Sequence, residues 1–154
     1  MRILITGGAG CLGSNIIEHW LPLGHEIFVI DNFATGKRKV VPNVTGLTVE
    51  EGSIADDTIV NKCFADFKPE IVVHSAASYK NPDDWVEDTK TNVLGSIHVA
   101  RAAKVNSVGR LINFQTALCY GNPKQLPIPV THPTAPFTSY GITKTAGEQI
   151  MFCL

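Results

Sequence analysis

Long hydrophobic runs are missing from this chain of 154 residues. The apolar stretch at its start, within Arg2-Ile3-Leu4-Ile5-Thr6, breaks into glycine at Gly7. It is too short for a signal-peptide core or a membrane span. Nothing further along reaches spanning length, so a cytoplasmic protein with no membrane partner is the default expectation. A surplus of one charge is missing too: 13 Lys and Arg stand against 14 Asp and Glu. With no basic stripe and no acidic block, neither a nucleic-acid partner nor a disordered acidic tail is expected. Cysteine is sparse and scattered. Cys11, Cys63, Cys119 and Cys153 show neither C-x-x-C nor metal-ligand spacing. Separate reduced thiols are expected, not a disulfide framework or a metal site.

What the chain does have is alternation. Short runs rich in Val, Ile and Leu alternate with longer stretches of helical spacing, which predicts an α/β fold on a parallel sheet. Strands are expected at Arg2–Thr6, Glu26–Ile30, Leu47–Glu50, Ile71–His74 and Arg110–Gln115. The second is a continuous apolar run, as a strand buried on both faces requires. Leu12, Ile16, Trp20 and Leu23 fall at helical spacing, with Pro22 near the helix end and Gly24 as a cap. A short helix is expected at about Ala55–Phe64. A long one takes Asn81 as N-cap and Pro82 as first helical residue, with Asp83 and Asp84 at the positive end of its dipole. It runs to about Val105. The proline-rich stretch Gly121–Pro136 reads as a surface loop, and a last helix begins near Ser139. The chain stops inside that helix, and five strands fall one short of the usual doubly wound sheet. One domain over residues 1–154 is expected, truncated before a sixth strand; a natural short protein is the alternative.

Three groups of residues carry chemistry. Between the first strand and the first helix lies Thr6-Gly7-Gly8-Ala9-Gly10-Cys11-Leu12-Gly13. Gly8, Gly10 and Gly13 match the dinucleotide fingerprint, and Gly7, Gly10 and Gly13 give a second spacing. Such a turn lets the backbone approach a pyrophosphate, whose oxygens then meet the free N–H groups of the helix start. Asp31 follows the second strand, 18 residues after Gly13. A carboxylate there accepts ribose hydroxyls and repels a 2′-phosphate, which points to NAD rather than NADP. Lys37 and Arg38 could tolerate a phosphate but read better as solvated loop charges. Finally, Tyr140 and Lys144 are four residues apart and share a helix face. A free phenol titrates at about 10, and a neighbouring ammonium lowers that value toward a useful base. A tyrosine packed on a lysine stem is the alternative.

Taken in this order, these residues resemble the extended short-chain dehydrogenase/reductase family, and within it the NAD-dependent nucleotide-sugar epimerases and dehydratases of the UDP-glucose 4-epimerase type. The segment Asp31-Asn32-Phe33-Ala34-Thr35-Gly36-Lys37-Arg38 is similar to the family's loop after the second strand. Val73-His74-Ser75-Ala76-Ala77 is similar to its fourth-strand segment, where small residues let the cofactor lie close. Phe114-Gln115-Thr116-Ala117-Leu118-Cys119-Tyr120-Gly121 matches the family's fifth-strand segment that ends in Tyr-Gly. The resemblance covers the whole chain and implies a Rossmann-type doubly wound parallel sheet.

By motif position the resemblance implies the following roles. Tyr140 is the general base or acid at the sugar hydroxyl, Lys144 binds the nicotinamide ribose and tunes it, and Thr116 hydrogen-bonds the same hydroxyl. Asn92 lies near the nicotinamide side, with a polar residue on a buried helix stripe as the alternative. Gly7, Gly10 and Gly13, with the backbone at Cys11 and Leu12, hold the pyrophosphate. Asp31 holds the ribose hydroxyls, and Asn32, Phe33, Ala34, Thr35 and Gly36 of the loop after it belong to the cofactor site. Ser53 and Ile54 border the adenine, Ser75, Ala76 and Ala77 floor the site, and Lys80 reaches phosphate or ribose. Three departures stand out: Ser53 where relatives carry Asp, Gln115 for a usual serine, and Cys119 for a usual valine. Dehydratases add an Asp-Glu pair after the threonine, whereas Ala117 and Leu118 stand here. The implied function is therefore a 4-epimerase acting on a UDP-sugar through a 4-keto intermediate, this chain being its NAD-binding half. Dehydratase, reductase or a non-catalytic NAD-binding fragment are the alternatives. A homodimer through the helices at 82–105 and 139–154 is also implied.

Overall fold

In the computed structural model, which describes residues 1–154, β1 (Arg2–Thr6) is the middle strand of a parallel sheet. On one side it pairs with β2 (Glu26–Asp31), which pairs in turn with β3 (Leu47–Glu51). On the other it pairs with β4 (Ile71–His74), which pairs with β5 (Arg110–Asn113). The order β3-β2-β1-β4-β5 reverses direction between β1 and β4, the switch point at which open α/β sheets form a ligand crevice.

Alternation in β1 explains the two cores. Ile3 and Ile5 point to one face, where Ile17 of α1 (Cys11–Trp20), Ile27, Val29 and Val73 pack. Leu4 points to the other, against Val60 and Phe64 of α2 (Asp57–Phe67) and Val99 and Ala102 of α4 (Ser96–Val105). Both faces of the strand are therefore dry, which is why it reads as an unbroken apolar run.

Several element ends differ from the sequence expectation. Leu12 and Leu23 are exposed; the buried side of α1 is formed by Gly13 and Ile17, and Pro22 lies in a 3₁₀ turn at Leu21–Leu23. Helix α2 starts later than Ala55 because the Asp56 side chain caps it, accepting from the Thr58 and Ile59 N–H groups. The long helix does not start at Pro82. The Asn81 side chain accepts the Asp83 N–H in a local turn, and the helix begins one turn later, with Asp84 accepting from Glu87 N–H. What looked like one helix is α3 (Trp85–Asp88), a π-helical segment (Thr89–Gly95) and α4. Strand β5 ends at Asn113, short of Gln115, and Ala117–Tyr120 forms a 3₁₀ turn. Helix α5 (Ser139–Cys153) is capped by Thr138 and lies against the π segment and α4.

A buried polar chain ties this frame together. His74, at the end of β4, is fully buried, with Nδ1 2.7 Å from Thr6 Oγ1 and Nε2 3.1 Å from Ser96 Oγ. Ser96 uses its proton on Asn92 O at 2.6 Å, so Nε2 carries the imidazole hydrogen and Thr6 donates to Nδ1. Burial, aided by the positive charge of Lys144, pushes the imidazole from 6.5 down to about 3.

Candidate active site

The carboxyl ends of β1, β2 and β4 open into a cavity of about 380 Å³. Its floor is the glycine turn. Gly7 sits at φ 72°, and a Cβ there would lie 2.7 Å from the Ala76 backbone. The close approach of the turn to the end of β4 therefore requires glycine at this position. A Cβ on Gly13 would fall 2.5 Å from Gly7 O, so the first turn of α1 packs directly on the glycine turn. No side chain caps α1, and its ladder opens with Ser14 N–H on Gly10 O. The N–H groups of Cys11, Leu12 and Gly13 thus have no intrahelical acceptor at the cavity floor. A turn packed too closely for a side chain at Gly7 or Gly13, beside bare amides at the positive end of a helix, can accept a phosphate group.

Asp31 closes the next wall. Its carboxylate is set by two backbone donors, Ala9 N–H to Oδ2 and Phe33 N–H to Oδ1, each at 2.8 Å. Held this way it lines the cavity with lone pairs to spare, the arrangement a ribose diol needs. The loop after it folds back over the glycine turn, where Lys37 N–H donates to Ala9 O. Asn32, Ala34, Thr35 and Gly36 line the cavity; Phe33 does not. Its ring packs against the core beneath α1, with the Arg38 guanidinium 5.4 Å above it. Neither Lys37 nor Arg38 lines the cavity.

Ser53 and Ile54 form the far wall, and Ser75, Ala76, Ala77 and Lys80 the near one. Tyr140, in the first turn of α5, reaches the same cavity. The remaining sequence candidates do not line it. Asn92 is buried, its amide spent on the backbone of Ser78 and on Thr143 Oγ1. Lys144 is buried too, and Thr116 uses its Oγ1 to accept the Leu118 N–H; neither lines the cavity. The expected lowering of the phenol by Lys144 is also corrected. Burial, then Tyr79, then Asp88, push the Tyr140 hydroxyl above its ordinary value. Burial meanwhile pushes the Lys144 ammonium down, against Glu148, which holds it up.

The sequence reading missed other wall residues, among them Ser78, Tyr79, Asn81, Asp84, Glu87 and Thr91. Asn81 and Asp84 come from the local turn, Glu87 from α3 and Thr91 from the π segment, and no motif spacing announces them. Tyr79 follows directly on the small-residue segment and was within reach of the motif; its ring meets that of Tyr140 at 6.0 Å and 61°.

Residues 3–152 match the NAD dependent epimerase/dehydratase family. The chain belongs to that family. The crystal structure of the Bordetella bronchiseptica enzyme WbmG in complex with NAD is 68% identical, with a TM-score of 0.97, over 99% of this chain and 49% of that one. The same enzyme in complex with NAD and UDP superposes with a TM-score of 0.96 at 68% identity, over 98% of this chain and 49% of that one. The UDP-glucose 4-epimerase of Halalkalibacterium halodurans is 33% identical over 156 residues, covering 97% of this chain and 45% of that protein. The chain thus spans about half the length of the relatives it matches.

Proposed function

We propose that this family member binds NAD and forms the cofactor half of a nucleotide-sugar 4-epimerase acting on a UDP-sugar. The carrying observation is one crevice that joins the glycine turn, the Asp31 carboxylate and the Tyr140 phenol. The glycine-turn amides bind the pyrophosphate and Asp31 the adenine ribose. Bound NAD would take and return the hydride at the sugar's C4 carbon. Tyr140 exchanges the proton of the C4 hydroxyl, and its raised phenol suits the step in which that proton returns to a 4-keto sugar. The part of Lys144, one helical turn further along α5, is carried over from the family resemblance: to orient the nicotinamide ribose. Thr116 keeps its hydroxyl proton to donate. Ala117 and Leu118 place no acid beside it, which favours epimerisation over dehydration.

The NAD bound by WbmG and the UDP-glucose 4-epimerase activity named for the halodurans relative support this reading. The substrate grip lies outside these residues in it. The edge of β5 agrees: Ile112 is exposed, and the buried Asn113 Oδ1 has no partner beside a cavity between α4, β5 and α5, where a sixth strand would fit. A homodimer through α3, α4 and α5 is part of the same proposal, with Trp85, Val86 and Leu94 exposed along it.

The test is calorimetric titration of the chain with NAD and NADP. UDP-sugar interconversion is then assayed with and without a relative's remaining half joined after Leu154. Binding of NAD in preference to NADP, with turnover in the joined protein, is expected. Binding without any turnover in the joined protein would leave a binding module instead.

A further inference from the structure

We propose that Asp88 is a positioning residue for the reaction centre, tying the loop that carries Tyr79 to the helix start that carries Tyr140. It rests on the reading of Tyr140 as the proton-exchanging group. Asp88 closes α3 and is fully buried. A carboxylate in that position is costly unless its oxygens are satisfied. Both are, and by hydroxyls: Ser78 donates to Oδ1 at 2.8 Å and Ser139 donates to Oδ2 at 2.6 Å. Ser78 immediately precedes Tyr79, and Ser139 immediately precedes Tyr140. One carboxylate therefore grips the chain one residue ahead of each tyrosine.

Four residues on, the Asn92 amide grips the same loop by its backbone. Ser78 N–H donates to Asn92 Oδ1 at 2.8 Å, and Asn92 Nδ2 donates to Ser78 O at 2.9 Å. Asn92 thus fixes the loop, while Asp88 adds the link from the loop to Ser139 and brings a charge. The π segment that follows Asp88 carries Asn92 to the same serine, and such bulges are frequent at functional sites. The product of the two clasps is the edge-on contact of the Tyr79 and Tyr140 rings at the cavity wall.

The charge adds a second effect. Titratable groups on the elements packed around Tyr140 include Tyr79 and Lys80 on the loop, Glu87 on α3 and Lys90 on the π segment. His98, Arg101 and Lys104 lie on α4, Cys119 and Tyr120 on the 3₁₀ turn, and Lys144 and Glu148 on its own helix. Apart from burial, Tyr79 and Asp88 are the groups that hold its phenol protonated.

The test is NMR of the chain with ¹³C-labelled tyrosine rings, the three signals assigned by Tyr→Phe substitution. Asp88→Asn keeps one acceptor and one donor for the two hydroxyls but removes the charge. It should lower the titration midpoint of Tyr140. Ser139→Ala cuts the tie on the helix side and should change the ring shifts of Tyr79 and Tyr140 while leaving Tyr120 in place. Either readout unmoved in a folded variant overturns the proposal. If Asp88→Asn does not fold, Ser139→Ala decides by the ring shifts alone. No substrate enters these measurements, so a failed epimerase assay and a failed clamp are told apart.

Discussion

Asp31 does two jobs with one carboxylate. Its oxygens hold the Ala9 and Phe33 N–H groups, and the same group lines the cavity. Removing it leaves two backbone donors without their acceptor at the cavity floor. Asp31→Ala should therefore lose about 1–3 kcal/mol of stability. NAD affinity should fall roughly 10- to 100-fold, read by denaturant melting and by titration. His74 sets a pH limit on the fold. It is neutral when folded, with its value near 3, and titrates at 6.5 when unfolded. Protons then favour the unfolded chain. The stability it contributes is complete above pH 6.5 and is lost as pH falls toward 3. From pH 7 to pH 5 the chain should lose about 2 kcal/mol, seen as a drop in urea midpoint. His74→Gln should flatten that slope, and a slope unchanged in the variant would place the sensitivity elsewhere.

At the level of elements, the strands were the most legible part. Ile3, Leu4 and Ile5 have neighbours on both faces, so their pattern carries its own meaning. Helix starts were less so. Asn81-Pro82 has every residue of a start signal, but the Asn81 side chain is already engaged in a local turn with Asp83 N–H. The true caps are Asp84 and, on α2, Asp56, and each was legible only once the neighbouring backbone was known. Asp56→Ala should cost about 1 kcal/mol through loss of the α2 cap. NAD affinity should stay unchanged, since Asp56 does not line the cavity. The π segment was illegible for a related reason. Thr89–Gly95 contains no proline and its one glycine is its last residue, and its wider winding goes with packing: α5 lies against it, and Asn92 bonds Thr143 of α5.

For the whole molecule, the sheet order brings residues from the first and last tenths of the chain to one crevice. Gly7 and Tyr140 line the same cavity although 133 positions separate them (140 − 7). The outer surface of α3 and the π segment, with Trp85, Val86 and Leu94 exposed, is where the proposed dimer would bury apolar area. Light scattering should give twice the mass of a single chain, and Leu94→Arg should halve it. A single-chain mass for the unaltered protein at tens of micromolar would remove the dimer. Sequence alone determined the strand pattern, the glycine turn, Asp31 and the family, because these depend on local backbone needs and on spacing along the chain. Tertiary structure decided which candidates face the cavity. It set Tyr140 in the wall, left Asn92 and Lys144 out of it, and turned the phenol's shift upward, since burial and the approach of Tyr79 and Asp88 exist only once distant segments pack.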